Sequence, residues 1–277
     1  MALVTGASRG CGKGVALVLG ERGATVYVTG RSVRGRPTTL GRPGTIDDTA
    51  DEVTARGGTG IALPCDHADD AQAEAVFARI AGEQGRLDLL VNNAWTGYEI
   101  GPDPALAFWE IEWRHWDLMF TGGLRAAAFA SRLAAPMMIE ARRGLIVNIT
   151  WVLDRPHGHA FYETVKTATN KLTEKLADDL RPHNVTCVAV SPGWMRMERM
   201  DLTPGDLAMT ESIEFPGRGI AALAADPGVG ARSGRVLTTP ELAREYGFTD
   251  VDGTQQSPFW DQHWAQPPTA KPQQPAP

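Results

Sequence analysis

Short apolar runs and amphipathic stretches alternate along this chain about every 25–30 residues, the pattern of strands and covering helices. Ala2-Leu3-Val4 begins a strand one residue after Met1 and runs into a glycine-rich turn. Val15 to Leu19 follows on a helix that Gly20 to Gly23 closes. Further strands are read at Thr25–Thr29, Ile61–Leu63, Leu87–Val91, Leu145–Ile149, Val185–Val190 and Val236–Thr238. The fourth is apolar enough to be buried on both sides. Between them, Thr45 with Asp48 three residues on resembles a capping box and opens a helix to about Arg56. Ala71 to Gln84 is a helix with Ala75, Val76 and Ile80 facing inward, and a long helix runs from about Trp116 to about Pro136. Phe161–Leu180 is another, and Ile220–Ala225 belongs to a helix that Asp226-Pro227 stops. Arg31 to Gly44 has no period and reads as a long loop, and Trp95 to Trp116 is irregular and rich in aromatic residues. Beyond Trp264 the chain is Pro, Gln and Ala, so residues 265–277 are expected to be a disordered tail. Residues 1–264 make a single doubly wound α/β domain: a parallel sheet of about seven strands with helices on both faces and a ligand site at the strands' carboxyl ends.

Composition narrows the function classes. The chain has 277 residues with 43% hydrophobic and 22% charged positions, enough for one large core. A net charge of −6 argues against a nucleic-acid partner. Cys11, Cys65 and Cys187 are odd in number and widely spaced, which fits free thiols in a reducing compartment rather than a disulfide framework or a metal site. No apolar run approaches the ~18 residues of a membrane span, and no basic segment precedes the first apolar stretch. A cytoplasmic protein with no membrane association is expected.

The chemistry begins in Thr5-Gly6-Ala7-Ser8-Arg9-Gly10-Cys11-Gly12, which leaves the first strand and opens a helix. Glycines there let the backbone turn tightly and approach a pyrophosphate, whose charge meets helix N-terminal N–H groups. At the end of the second strand, where an acid would hold a ribose 2′-hydroxyl, the chain has Gly30 followed by Arg31. Arg31 and Arg9 suit a 2′-phosphate, so NADP(H) is the expected cofactor. Arg34, Arg36 and Arg42 extend the basic loop, or are simply solvated. Tyr162 and Lys166 lie four apart on one helix face, where an ammonium stabilises a phenolate. At 4 Å and an effective dielectric near 20 that attraction is about 4 kcal/mol, or roughly three pKa units, which brings a tyrosine towards acid–base work at neutral pH.

These motifs, with Asn92-Asn93-Ala94 after strand four and Pro192-Gly193 after strand six, resemble the classical short-chain dehydrogenase/reductase family from Ala2 to about Trp260. The resemblance implies a Rossmann fold, hydride transfer to or from a carbonyl or alcohol carbon, and a homodimer or homotetramer. It further implies that Gly6, Ser8, Arg9, Gly10, Cys11, Gly12, Arg31, Asn92, Ala94, Tyr162, Lys166, Pro192 and Gly193 line the cofactor. Asp66 matches the acid that contacts the adenine amino group, and Lys166 the lysine that bonds the nicotinamide ribose. Asn92 matches the residue that steadies the strand ends.

Several positions depart from the family pattern. Trp95 stands where a glycine is usual, Trp151 where the catalytic serine is expected with Thr150 before it, Gly123 where a helix asparagine relays protons, and Met197 where a threonine holds the carboxamide. With the tail Glu245 to Gly253, such changes resemble an atypical bacterial-type branch. Thr150, His157 and His159 are candidates to polarise the carbonyl, Thr150 only if the strand has ended or bulged before it. Trp95, Trp151 and Trp194 are read as walls of a pocket for an apolar or aromatic substrate. Trp109, Trp113 and Trp116 have the spacing of a buried helical face. The expected function is an NADP(H)-dependent reductase or alcohol dehydrogenase with Tyr162 as general acid/base. A cofactor-binding sensor or scaffold, or a non-redox dehydratase or isomerase in the same pocket, stays open as an alternative.

Overall fold

A computed structural model describes residues 1–99, 106–152, 159–198, 207 and 209–255. Strands β1 (Ala2–Val4), β2 (Thr25–Gly30), β3 (Thr59–Pro64), β4 (Leu89–Asn92), β5 (Gly144–Ile149), β6 (Val185–Ser191) and β7 (Val236–Thr238) form one parallel sheet. Their order is β3-β2-β1-β4-β5-β6-β7, so the chain reverses direction across the sheet between β1 and β4. Strands β1, β4 and β6 are buried at every position, as near-continuous apolar runs require in a sheet covered on both faces.

Alternating side chains feed two cores. Val4, Val28, Val91, Val147 and Val190 pack against α1 (Gly10–Glu21), α2 (Ile46–Ala55), α7 (Phe215–Ala225) and α8 (Thr239–Tyr246). Leu3, Tyr27, Leu90, Ile146 and Cys187 pack against α3 (Asp70–Gln84), α5 (Ala126–Glu140) and α6 (Ala160–Leu180). Helix α4 (Arg114–Met119) meets α5 through a π-helical turn at Phe120–Arg125. The three cysteines are buried free thiols. Among the described residues, no helix is long and apolar enough to cross a membrane.

The helix reading needs five corrections. Residues Ala73, Val76, Phe77 and Ile80 form the inner face of α3 and Ala75 is exposed, because the 3.6-residue period is set by Phe77. Pro136 lies inside α5, which runs on to Glu140. The fully buried Met138 carries the helix past the bond the proline removes. The stretch after Trp116 is not one regular helix, since the π turn interrupts it. Trp113 is the N-cap of α4 and Trp109 lies upstream of it, and both are exposed (62% and 74%) rather than buried, although the Trp113 ring stacks on Trp116 with centroids 5.3 Å apart. Helix α8 goes unread in the sequence although its capping box is legible: Glu241 N donates to Thr238 Oγ1 at 3.3 Å and Thr238 N to Glu241 Oε2 at 3.0 Å. The expected tail, with Trp260 and Trp264, lies outside the described residues.

Candidate active site

At the point where the strand order reverses, the loops after β1 and β4 are bonded to each other. Thr5 Oγ1 accepts from Asn93 N at 2.9 Å and Ala94 N at 3.0 Å, and Asn93 Nδ2 donates to the carbonyls of Thr5 and Gly6, both at 2.9 Å. Gly6 takes φ +65°, and a Cβ there would sit 2.7 Å from Ala94 Cα, so only glycine permits this closure. Gly10 opens α1, and its N–H meets both oxygens of Glu198 at 3.1 Å. A carboxylate thus stands on the helix N-terminal donor that the sequence assigns to a pyrophosphate. Gly12 does not reach the cavity. A Cβ at that position would lie 2.4 Å from Asn93 Nδ2, so Gly12 lets α1 close onto the Asn93 side chain.

A cavity of about 990 Å³ opens over these loops. Gly6, Ser8, Arg9, Gly10, Cys11, Arg31, Asp66, Asn92, Ala94, Pro192 and Gly193 all line it, as do Thr150, Tyr162, Lys166, Trp95, Trp151 and Trp194. At one end, Arg9 donates to Ser32 Oγ at 2.9 Å and to the carbonyls of Pro43, Arg42 and Gly44. It thereby folds the arginine-rich loop onto the glycine loop. Burial holds the Arg9 pKa below its ordinary value. Glu198 opposes that, and the neighbouring Arg42 and Arg31 push the same way as burial. Arg31 pairs with Glu99 and, at 3.7 Å, with Asp66. Arg34 instead bonds Asp48 and Asp51 on the exposed side of α2. Arg42 and Arg31 both disfavour the charge on Arg9, so an incoming anion meets a cationic group, one member of which already leans on Glu99 and Asp66.

At the other end, α6 presents Tyr162 and Lys166. Its cap is His159, whose Nδ1 accepts from Phe161 N at 3.2 Å and Tyr162 N at 3.4 Å. That ring holds the start of the helix and is absent from the cavity lining, which corrects its reading as a carbonyl polariser. His157 lies outside the described residues. Lys166 Nζ makes one long bond, 3.5 Å, to the Ile149 carbonyl and lies 4.3 Å from the centre of the Trp95 ring. Burial pushes its pKa down to about 8, slightly opposed by Cys11. Cys11 itself is pushed up to about 12 by burial, so it remains a thiol. The Tyr162 ring meets Trp95 edge-on with centroids 5.8 Å apart.

Strand β5 ends at Ile149, so Thr150 escapes the alternation and reaches the cavity. Its hydroxyl donates to Asn170 Oδ1 at 2.6 Å and to the Lys166 carbonyl at 3.3 Å. In this geometry the proton faces α6 rather than a ligand. Beneath the site, Asn92 Nδ2 donates to Ser131 Oγ and Asn148 Oδ1, and Asn148 Nδ2 to Thr173 Oγ1. That layer ties β4, β5, α5 and α6 together. Asn93, Glu198, Asn170 and Glu211 escape the sequence reading as site residues. Only Asn93 carries a signal, as the second asparagine of Asn-Asn-Ala.

The "short chain dehydrogenase" family model matches residues 1–203. The chain is 36% identical over 273 residues to mouse dehydrogenase/reductase SDR family member 1, covering 91% of this chain and 83% of that protein. It is 30% identical over 217 residues to a 3-oxoacyl-[acyl-carrier-protein] reductase of Staphylococcus aureus, covering 78% and 82%. Among solved structures it is similar to a metagenomic short-chain oxidoreductase in complex with NADP, at 28% identity and TM-score 0.64 over 81% of this chain and 90% of that one.

Glu211 stands behind Gly193, whose N–H donates to Oε1 at 2.9 Å, and is 3% exposed. Burial pushes its carboxyl from 4.5 up to about 8. The Gly193 bond opposes this, Asp250 adds to it and Arg196 opposes it. Between those two pH values the folded chain keeps a proton that the unfolded chain has lost, so stability falls as pH rises through the window. Glu211→Gln removes that loss while keeping an acceptor for Gly193. Melting curves are expected to nearly coincide with wild type at pH 5 and to favour the variant by ~3 kcal/mol above pH 8. Equal differences at both pH values would contradict the assignment.

Proposed function

The chain belongs to the short-chain dehydrogenase/reductase family of oxidoreductases, and from that premise we propose that it moves a hydride between NADP(H) and the carbonyl or alcohol carbon of a small apolar or aromatic substrate. The observation that carries this reading is a single cavity with arginines at one end, the Tyr162–Lys166 pair at the other and the glycine loop between them.

The residues present fit the cofactor. The close approach at Gly6 and the N–H of Gly10 suit the pyrophosphate, with Glu198 moving off that donor to admit it. Arg9, Arg31 and Arg42 suit a 2′-phosphate, and Asp66 the adenine amino group. The bound dinucleotide supplies or accepts the hydride. Tyr162 gives the substrate oxygen its proton in reduction and takes it back in oxidation. Lys166 favours the phenolate left behind and binds the nicotinamide ribose. With the Thr150 hydroxyl bonded to Asn170, Tyr162 also polarises the carbonyl in this reading. Trp151 and Trp194 line the same cavity as Tyr162, and their indoles suit a flat apolar substrate while excluding water. The NADP complex of the metagenomic relative and the reductase activity named for the staphylococcal one support the same assignment.

Tyr162→Phe is expected to bind NADPH with unchanged affinity, followed by its fluorescence, and to lose about 10²–10⁴-fold in turnover. Unchanged turnover would contradict the role of Tyr162, and loss of binding would make it structural. Arg31→Ala is expected to weaken NADPH binding about tenfold or more while leaving NADH binding unaltered, because one charge-assisted contact to the 2′-phosphate is removed. Equal effects on both dinucleotides would remove the basis for preferring NADP(H).

A further inference from the structure

Trp95 and Gly123, two departures from the family pattern far apart in the chain, meet in the structure. The indole of Trp95 lies in a slot between Gly97 and Gly123. A Cβ at Gly97 would fall 2.5 Å from Trp95 Cζ2, and one at Gly123 would fall 2.7 Å from Cζ3. Neither glycine can carry a side chain while the ring is there. The slot is built on the π-helical turn at Phe120–Arg125, against which Thr96 packs, its hydroxyl donating to the Leu118 carbonyl at 2.5 Å. Leu118 is in α4, one residue before its end, so this bond fixes Thr96 where α4 passes into the π turn. The side chain missing at 123 is therefore room made for the ring entering from 95.

The face of that ring does a second thing. Lys166 Nζ lies 4.3 Å from its centre, and no carboxylate among the described residues pairs with this ammonium. The groups facing Lys166 are the Tyr162 ring on its own helix at 5.6 Å, the Ile149 carbonyl at the end of β5, and Cys11 on α1. Tyr162 in turn meets Trp95 edge-on, the rings 86° apart. An aromatic face attracts a cation through its quadrupole, most strongly where water is excluded.

We propose that Trp95 is a positioning residue of the active centre: its π face serves as the counter-group of the Lys166 ammonium and its T-shaped contact braces the Tyr162 ring, with Gly97 and Gly123 forming the seat. The assignment rests on the catalytic reading of Tyr162 and Lys166 and adds the group that holds them. Without the indole, Lys166 stays enclosed but loses its favourable neighbour, so it gives up its proton at lower pH.

The test compares Trp95→Met, which is flexible and has no π face, with Trp95→Phe, which keeps one. It uses the full-length protein with 13Cε-labelled lysine and assigns the resonance with Lys166→Met. The Lys166 titration in Trp95→Met is expected about one pH unit below wild type, with Trp95→Phe lying closer to wild type. The alkaline limb of the NADPH-dependent kcat profile is expected to move with it, and kcat to fall tenfold or more in Trp95→Met. A Lys166 titration unmoved in both variants overturns the proposal whatever happens to turnover. If Trp95→Met does not fold, Trp95→Phe alone decides, since a titration and kcat profile identical to wild type with only a lower melting temperature would leave Trp95 a packing residue. A titration that moves in a protein with no NADPH turnover supports the role of Trp95 and counts against the reductase reading alone.

Discussion

The bonded pair of loops at the reversal of strand order is the constraint on which the site depends. Four hydrogen bonds join Thr5 and Gly6 to Asn93 and Ala94, and a parallel sheet offers no other place where the ends of β1 and β4 diverge to leave a crevice. Once the loops are closed, the N-terminus of α1 points into the crevice on one side and Trp95 enters it on the other. The buried layer of Asn92, Asn148, Ser131 and Thr173 then sets α5 and α6 against the same strand ends, and α6 carries Tyr162 and Lys166. Fold and site are thus coupled through buried polar groups whose partners are other elements, which makes their placement costly to change.

Charge is arranged along this crevice in a way that composition conceals. The chain is acidic as a whole, yet the cavity has Arg9, Arg31 and Arg42 at one end and an ammonium without a carboxylate partner among the described residues at the other. Asp66 and Glu99 line the arginine end and pair with Arg31, and two further acidic groups, Glu198 in the lining and Glu211 behind it, are held differently. Glu198 is exposed and rests on the N–H of Gly10, where an incoming phosphate can displace it. Glu211 is buried behind Gly193 and remains largely protonated at neutral pH. A dinucleotide carrying phosphates at the pyrophosphate and at the 2′ position complements that pattern, because each anion meets donors that now lean on carboxylates or on one another.

Much of this was legible in the sequence, and the reasons for the misses are specific. The strands were found because parallel strands buried on both faces read as apolar runs. The glycine loop and the Tyr–Lys pair were found because their spacing is local. Helix faces set by one large residue were less legible, as Phe77 in α3 shows, and so was a proline carried through α5 by Met138. The position of Thr150 depended on where β5 stops, and its hydroxyl depends on Asn170, twenty residues away. Trp95 and Gly123 appeared as two unrelated losses, because the clash that makes them one feature exists only when the π turn brings them together. Glu198 and Glu211 offered no motif at all, since their roles are bonds to backbone N–H groups distant in the chain.

The most direct measurement of a redox role is atom transfer. With NADPH deuterated at the nicotinamide C4 position, an aromatic ketone reduced by the full-length protein should yield an alcohol carrying deuterium on the former carbonyl carbon, read by mass spectrometry. Deuterium in the alcohol with NADPH, and much less product with NADH, is the expected result. A converted substrate with no deuterium at that carbon, or a cofactor that binds and is never oxidised across aliphatic and aromatic carbonyls, would contradict hydride transfer in this cavity.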